Sequence, residues 1–266
     1  SITPVAVTIR PTIDGHLDDE VWDLASASGD FWISDQGRWP DEQTEVLVLA
    51  DTDHLYFAIR AYDSNPRRIY AVETVQDRGL RFDDQVVIEI DTFGDHESVS
   101  RFAVNARGTQ DYSPAGGRAI NIAWQGDWSA ASANSDDGWT AEIAIPFDVL
   151  NYRSDATKFG INFARYHHRT RQWSRWADVT PQYKKEEMGR LADIAPPPRD
   201  QSKSLTVMPY VFAGRNIIDR DGDFEELLVT GGLDIRYSTR SSMTGVLSLY
   251  PDFTQIKTQI TDADFS

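Results

Sequence analysis

The chain has 266 residues, 40% of them hydrophobic and 26% charged, which is long enough for a substantial buried core. Its formal charge of -16 argues against a nucleic-acid partner and against an anionic membrane surface, since both need a basic face, whereas a neutral ligand such as a sugar is compatible. The absence of Cys excludes disulfides, thiolate catalysis and zinc–thiolate sites, and no apolar run is long enough for a transmembrane helix.

The first element is IDGHLDDEVWDLA, Ile13 to Ala25, with five acidic residues around a Gly and a Trp. Asp14-Gly15 signals a turn. Asp18 is expected as a helix N-cap, with Asp19 and Glu20 in the first helical turn and Val21, Trp22 and Ala25 on one apolar stripe. Helix initiation thus explains the carboxylates better than catalysis does.

Strands follow. Val46–Ala50 is continuously apolar, as in a strand buried on both faces. His54–Tyr62 is aromatic and branched, after a turn at Asp51–Asp53. In DQVVIEIDT, Val86, Ile88 and Ile90 oppose Val87, Glu89 and Asp91. SRFAVN, GWTAEIAIPF (Trp139, Ala141, Ile143 and Ile145 against Thr140, Glu142 and Ala144) and FGINFARY repeat the alternation. This period of two, with turns between, predicts an all-β antiparallel β-sandwich over residues 1–195. A Pro-rich linker is expected over 196–204. Over 205–266, LTVMPYVFAG and two further alternating runs (Leu233, Ile235, Tyr237; Met243, Gly245, Leu247, Leu249) predict a few extra antiparallel strands. Their length and alternation match outer-membrane barrel strands, of which at least about eight are needed for closure, so these read as a barrel's start.

In order and spacing, IDGHLDDEVWDLA, TEVLVLADTDHLYFAIRAYD, DDQVVIEIDTFGD, RFAVNARGTQD and GWTAEIAIPFDVL resemble the carbohydrate-binding module family 9-like domain, a relative of the DOMON sandwiches, over roughly residues 5–195. The resemblance implies a jelly-roll-like sandwich and a sugar ligand. LSLYPDFTQI is similar to the NPDF-x-Q block of DUF5916-type bacterial surface proteins, with Tyr250 in place of Asn. That similarity implies an exported protein of the periplasm or outer-membrane surface, whose partner is its own C-terminal barrel and which meets the membrane only through it. Two departures weaken the implied sugar clamp: a Glu expected after Asp-x-Val is Val87, and an Arg expected in RFAVN is Ala103, with Arg101 two residues away on the same face.

Sugar recognition needs flat aromatic faces and planar polar groups. Loop positions make Trp32, Trp39, Trp124, Trp128, Trp173 and Trp176 candidate platforms, while Trp22 and Trp139 fall in core patterns. Glu89, Arg101 and Asn105 are the candidate polar partners. The resemblance also implies structural calcium; Asp219, Asp221, Asp223 and Glu225 in IIDRDGDFEE alternate around Gly222, with Asp84 and Asp91 as other oxygen ligands. Enzyme motifs are thin, without H-E-x-x-H, G-x-S-x-G or a P-loop. Glu89 and Glu142 could make a glycosidase-like carboxylate pair only at the right separation. The resulting expectation is a non-catalytic glycan-binding domain. Its alternatives are a structural plug or adaptor on a barrel, and a heme-carrying DOMON module using Met188 with Lys184 or Lys185, or His167 and His168.

Overall fold

The computed structural model describes residues 1–96, 98–115, 127–177, 188–198, 204–217, 225–238 and 244–249. They form two compact units, Ser1–Arg199 and Asp200–Ser266. In chain order the first unit carries β1 (Val5–Ala6), β2 (Thr44–Ala50), β3 (His54–Tyr62), β4 (Gln85–Asp91), β5 (Val99–Asn105), β6 (Gln110–Ser113), β7 (Ser129–Ser135), β8 (Gly138–Pro146), β9 (Lys158–His167), β10 (Gln172–Arg175) and β11 (Gly189–Ala192). The second carries β12 (Ser204–Ile217), β13 (Glu225–Ser238) and β14 (Thr244–Leu249).

Two sheets face each other in the first unit. One runs β1-β2-β3-β8-β7, with only β1 and β2 parallel; the other runs β10-β9-β4-β5-β6, with β11 sharing β9's free edge. Alternation fills the space between them. Val46, Val48, Phe57, Ile59, Ile143 and Ile145 meet Val86, Ile88, Ile90, Phe102, Ile161 and Phe163 in one buried cluster. The first sheet's outer face is also dry, because Leu47, Leu49, Tyr56 and Ala58 are covered by Trp22 and by Val5, Ile13 and Leu17 of the N-terminal segment. Strand β2 is therefore apolar on both faces, as its sequence requires.

The opening motif differs from the expected helix. Glu20–Leu24 is a single 3-10 turn whose N-cap position is Asp19, not Asp18, and no side chain caps it. Asp19 instead accepts the Thr12 N–H at 2.6 Å. The segment is held from β8: the Glu142 carboxylate accepts the Asp14 and Gly15 N–H groups at 2.9 and 2.8 Å and the Trp22 indole N–H at 2.8 Å. Gly15 has φ +92, and a Cβ there would lie 2.6 Å from the Ser132 carbonyl carbon, so only Gly fits this turn. Burial raises the Glu142 pKa above the ordinary 4.5, against the pull of those three donors.

In the second unit β12, β13 and β14 pair antiparallel, with Val207, Ile235 and Leu247 in one register row and Pro209, Leu233 and Leu249 in the next. Val207, Val211, Leu247 and Leu249 on this face are exposed.

Glu142→Gln should destabilise the protein by about 2–3 kcal/mol, since its NH2 must face an N–H already donating. An acid with a raised folded pKa binds its proton more tightly folded than unfolded, so its contribution to stability falls as pH rises above 4.5. Thermal melts against pH should show a lower Tm for the variant and the loss of that slope; an unchanged melting profile contradicts the role.

Candidate functional site

Register across the second sheet fixes what its outer face presents. Asn162 of β9, Glu89 of β4 and Arg101 of β5 lie in one row. The next row is Arg175, Ala164, Val87, Ala103 and Asp111 from β10 to β6. Trp32 bridges to Arg175 outside β10, so paired residues share a face and Trp32 joins this row at the sheet's edge. One residue pair further along, Trp173 lies opposite Tyr166. Leu80 packs on Val87, Ala103 and Ala164, filling the apolar middle.

The polar row is charge-balanced. Arg175 Nη1 stands 3.7 Å from Glu89 Oε2, and Arg101 reaches Asp111 Oδ2 at 3.1 Å and Gln85 Oε1 at 3.3 Å. Asn162 is wholly buried; its Oδ1 accepts the Phe163 and Ala177 N–H groups, while its Nδ2 has no partner among the described residues. Aromatic rings border the row. Trp39, 53% exposed, meets Trp32 edge-on at 4.8 Å, and Trp173 lies 5.2 Å from Tyr166 with the Arg175 guanidinium 6.0 Å from its ring. Two carboxylates, two guanidiniums, two carboxamides and exposed indole surface can bind hydroxyl groups and apolar ring faces without selecting for net charge.

Of the residues expected at a site, this face brings together Glu89, Arg101, Trp32, Trp39 and Trp173. Three others are elsewhere. Trp128 is core, packed edge-on against Phe102 at 5.3 Å. Trp176 packs on Phe163 beneath β11, where a Cβ on Gly189 would strike its ring. Asn105 is buried and organises loops, donating to Glu73 O and Asp83 Oδ2 and accepting the Arg107 and Thr109 N–H groups. Trp124 lies outside the described residues. The sequence reading missed Asn162 and Arg175, although FGINFARY places Asn162 opposite the core residues Ile161 and Phe163.

Two of the expected oxygen ligands, Asp84 and Asp91, serve the backbone of loops. Asp84 accepts the Tyr70 and His168 N–H groups, and Asp91 accepts those of Phe93, Gly94 and His96, so both carboxylates are loop staples with their oxygens engaged. Among the described residues, Asp51, Asp53 and His54 are close enough together to hold an ion, but Arg10 lies in that group, 2.7 Å from Asp51 and 2.6 Å from Asp53. Asp219, Asp221 and Asp223 lie outside the described residues; of Glu225 only its place at the start of β13 is described. Of the residues named for heme, the structure places His167, His168 and Met188. His167 has both ring nitrogens engaged, by Asp63 and Thr170, and His168 donates from Nδ1 to Phe82 O. Met188 is half-buried beside β11, and Lys184 and Lys185 lie outside the described residues. Nor do Glu89 and Glu142 form a catalytic pair, since they sit on the outer faces of opposite sheets.

On the inner side of β10 a cleft is lined by Ile33, Glu42, Arg165, His167, Gln172 and Ser174. Burial pushes the Arg165 pKa down to about 10, against the charges of Asp84, Asp63 and Glu42. Burial also pushes the Asp63 carboxyl up, but hydrogen bonds from Asn65, His167 and Arg169 outweigh it and hold the group below 3.8. Arg169 joins Asp63 to Glu42 at 2.7 and 3.0 Å. This is a charge-balanced clamp on three loops.

Comparison with known proteins agrees with this architecture. The profile described as carbohydrate family 9 binding domain-like matches residues 13–192. A family 9 carbohydrate-binding module from Caldicellulosiruptor kristjanssonii in complex with cellotriose superposes with TM-score 0.52 at 16% identity, over 71% of this chain and 92% of that one. The same organism's module in complex with glucose gives 0.50 at 16% identity, over 71% and 95%. A putative carbohydrate-binding protein from Bacteroides uniformis gives 0.56 at 12% identity, over 72% and 97%. Among curated proteins none matches the chain significantly.

Proposed function

The chain belongs to the carbohydrate family 9 binding domain-like family, and from that membership we propose that it binds a neutral glycan on the outer face of its second sheet. One observation carries the reading: the register of β10, β9, β4, β5 and β6 puts Asn162, Glu89 and Arg101 in one row and Arg175 and Asp111 in the next, a charge-balanced patch beside the exposed Trp39 indole. The apolar face of a sugar ring stacks on Trp39 and Trp32 at the edge. Its hydroxyls donate to Glu89 and accept from the Arg101 guanidinium, the partly exposed charged groups of the patch. Solved structures of the same fold hold cellotriose and glucose, which makes β-linked glucose chains the first ligands to try. The binding is read as non-catalytic, because the family is one of binding modules.

We further propose that this domain works at a bacterial cell envelope, on the start of an outer-membrane barrel. The reading rests on β12 and β13, each of 14 residues, which exceeds the roughly 9–11 that cross a bilayer as tilted strands, and on the exposed apolar face they share with β14. The plug or adaptor role is the alternative in which that face serves and the sandwich binds no sugar.

A glycan array probed with the full chain should show binding that Glu89→Gln and Arg101→Lys each weaken by about 10- to 100-fold, the cost of a lost charged hydrogen bond, in protein still folded by its far-ultraviolet spectrum. EDTA should leave it unchanged, since the indoles, Glu89 and Arg101 meet the sugar without a metal between them. A blank array from folded protein removes the reading. Separately, the full chain should float with phosphatidylethanolamine–phosphatidylglycerol vesicles, and Val211→Lys with Leu247→Lys should abolish flotation; equal behaviour of the two proteins contradicts the envelope proposal.

A further inference from the structure

The end of the second sheet at which β4 begins carries a charge pattern opposite to that of the chain as a whole. Gln85 opens β4 opposite Asn105, the last residue of β5, and Tyr166, next to last in β9. The long loop before β4, the turn after β5 and the turn after β9 therefore meet at one end. They are tied there, since Asp84 accepts the Tyr70 and His168 N–H groups, and Asn105 Nδ2 and Thr109 Oγ1 both donate to Glu73 O. On these three segments Arg67, Arg68, Arg78, Arg81, Arg107 and Arg171 are exposed. None of them is ion-paired with a carboxylate among the described residues, whereas Arg10, Arg153 and Arg169 each reach one within 3.0 Å.

The acids of the long loop are engaged in holding its backbone. Asp83 accepts the Val72 and Glu73 N–H groups and Asn105 Nδ2, and Asp84 accepts the two groups named above. Glu73 accepts the Thr74 and Val75 N–H groups, and Asp77 that of Tyr112. Asp83 and Asp84 are also buried. Carboxylates folded inward as staples offset little of the charge of arginines left in solvent, so this end is basic on a chain of net charge -16. Apolar side chains stand among the arginines: Tyr70, Val72, Val75 and Phe82 are 40%, 57%, 50% and 65% exposed. Arginines interleaved with exposed aromatic and branched side chains are the composition of a protein-binding surface.

Unpaired guanidiniums take carboxylate oxygens in forked pairs, and the apolar side chains between them take apolar groups of the same partner. The shape of the charge selects a narrow partner. A bilayer is an extended anionic plane that meets the field of the whole chain, whose net charge repels it. Asp136 and Asp137, exposed on the turn before β8, add negative charge at this same end, because Asp63 joins that turn through Asp137 O and joins β9 through His167. A single extended chain can lie on the arginines and pass clear of those carboxylates, since charges in solvent act over roughly 8 Å at physiological ionic strength. We infer that this end docks an acidic polypeptide segment of a partner protein, with Asp or Glu on the arginines and apolar side chains against Val72, Val75 and Phe82. The inference stands apart from the sugar reading, because none of these residues belongs to the charge-balanced patch.

The test is a titration of the full chain into a labelled synthetic peptide of about a dozen residues alternating Glu with Leu, read by fluorescence anisotropy. Binding should weaken by about tenfold or more as NaCl rises from about 0.05 to about 0.5 M. Arg67→Gln with Arg68→Gln, and Arg78→Gln with Arg81→Gln, should each weaken it by about tenfold. Arg153→Gln removes an exposed arginine between β8 and β9, at the other end of the sheet, and should leave it unchanged. Phe82→Ser should cost about threefold or more, and a peptide alternating Glu with Ser should bind more weakly and no longer sense that change. No binding of the Leu peptide, equal affinity for both peptides, or an equal loss in Arg153→Gln overturns the docking surface. Salt-sensitive dimers of the chain alone would make the occupant a second copy, and phosphatidylglycerol-vesicle binding lost in the paired arginine variants would make it a bilayer; either result also overturns it.

Discussion

A carboxylate buried against a β-sheet must be met by donors, and in this protein the way Glu142 is met decides which surface is left for a ligand. Glu142 lies on β8, toward the outer side of the first sheet, where ionisation is costly. The N–H groups of Asp14 and Gly15 and the indole of Trp22 supply its partners. Meeting that demand lays the N-terminal segment across the sheet and puts Trp22 over Leu47, Leu49 and Tyr56. The middle of that sheet is thereby buried on both faces. The other sheet, covered in part by Leu80, leaves Glu89 and Arg101 partly exposed on its outer face.

That outer face is balanced in charge. The chain carries a net charge of -16, yet here two Arg stand against two carboxylates within one patch. Long-range attraction of a charged ligand is weak at such a patch, so selectivity must come from hydrogen-bond direction and ring stacking. Both are built on strands, whose backbone registers hold Glu89, Asn162 and Arg101 at fixed separations. The clamp around Arg165, Asp63 and Arg169 holds the loops flanking β9 and β10, and so supports the same edge from within.

Much of the fold was legible from alternation. His54–Tyr62 and the runs containing Val86, Phe102, Trp139 and Ile161 are strands because period-two burial needs no further context. Strand β7, SAASANS, gave no such signal, since small residues serve either face of an edge strand. Strand β10 is four residues long, too short for a period to show. The site was legible in part. Glu89 and Arg101 could be placed on one face from parity alone, but Arg175 and Asn162 join them only through the pairing of β9 with β4 and β10, which no local pattern records. Parity also put Asn105 on that face; its capture by Asp83 and by the turn after β5 depends on loops folding back. For the Trp residues, loop location misled at Trp128, because a loop can turn its indole into the core.

The proposed ligand site is the outer face of the second sheet. Side-chain NMR of the labelled full chain during titration with a glycan taken from the array tests it most directly. The indole N–H signals of Trp32, Trp39 and Trp173 and the carboxamide signals of Asn162 should shift together, while that of Trp22, bound to Glu142, stays fixed. Shifts at Trp22 or Trp139, with the Asn162 signals unmoved, would place the ligand elsewhere and contradict the account.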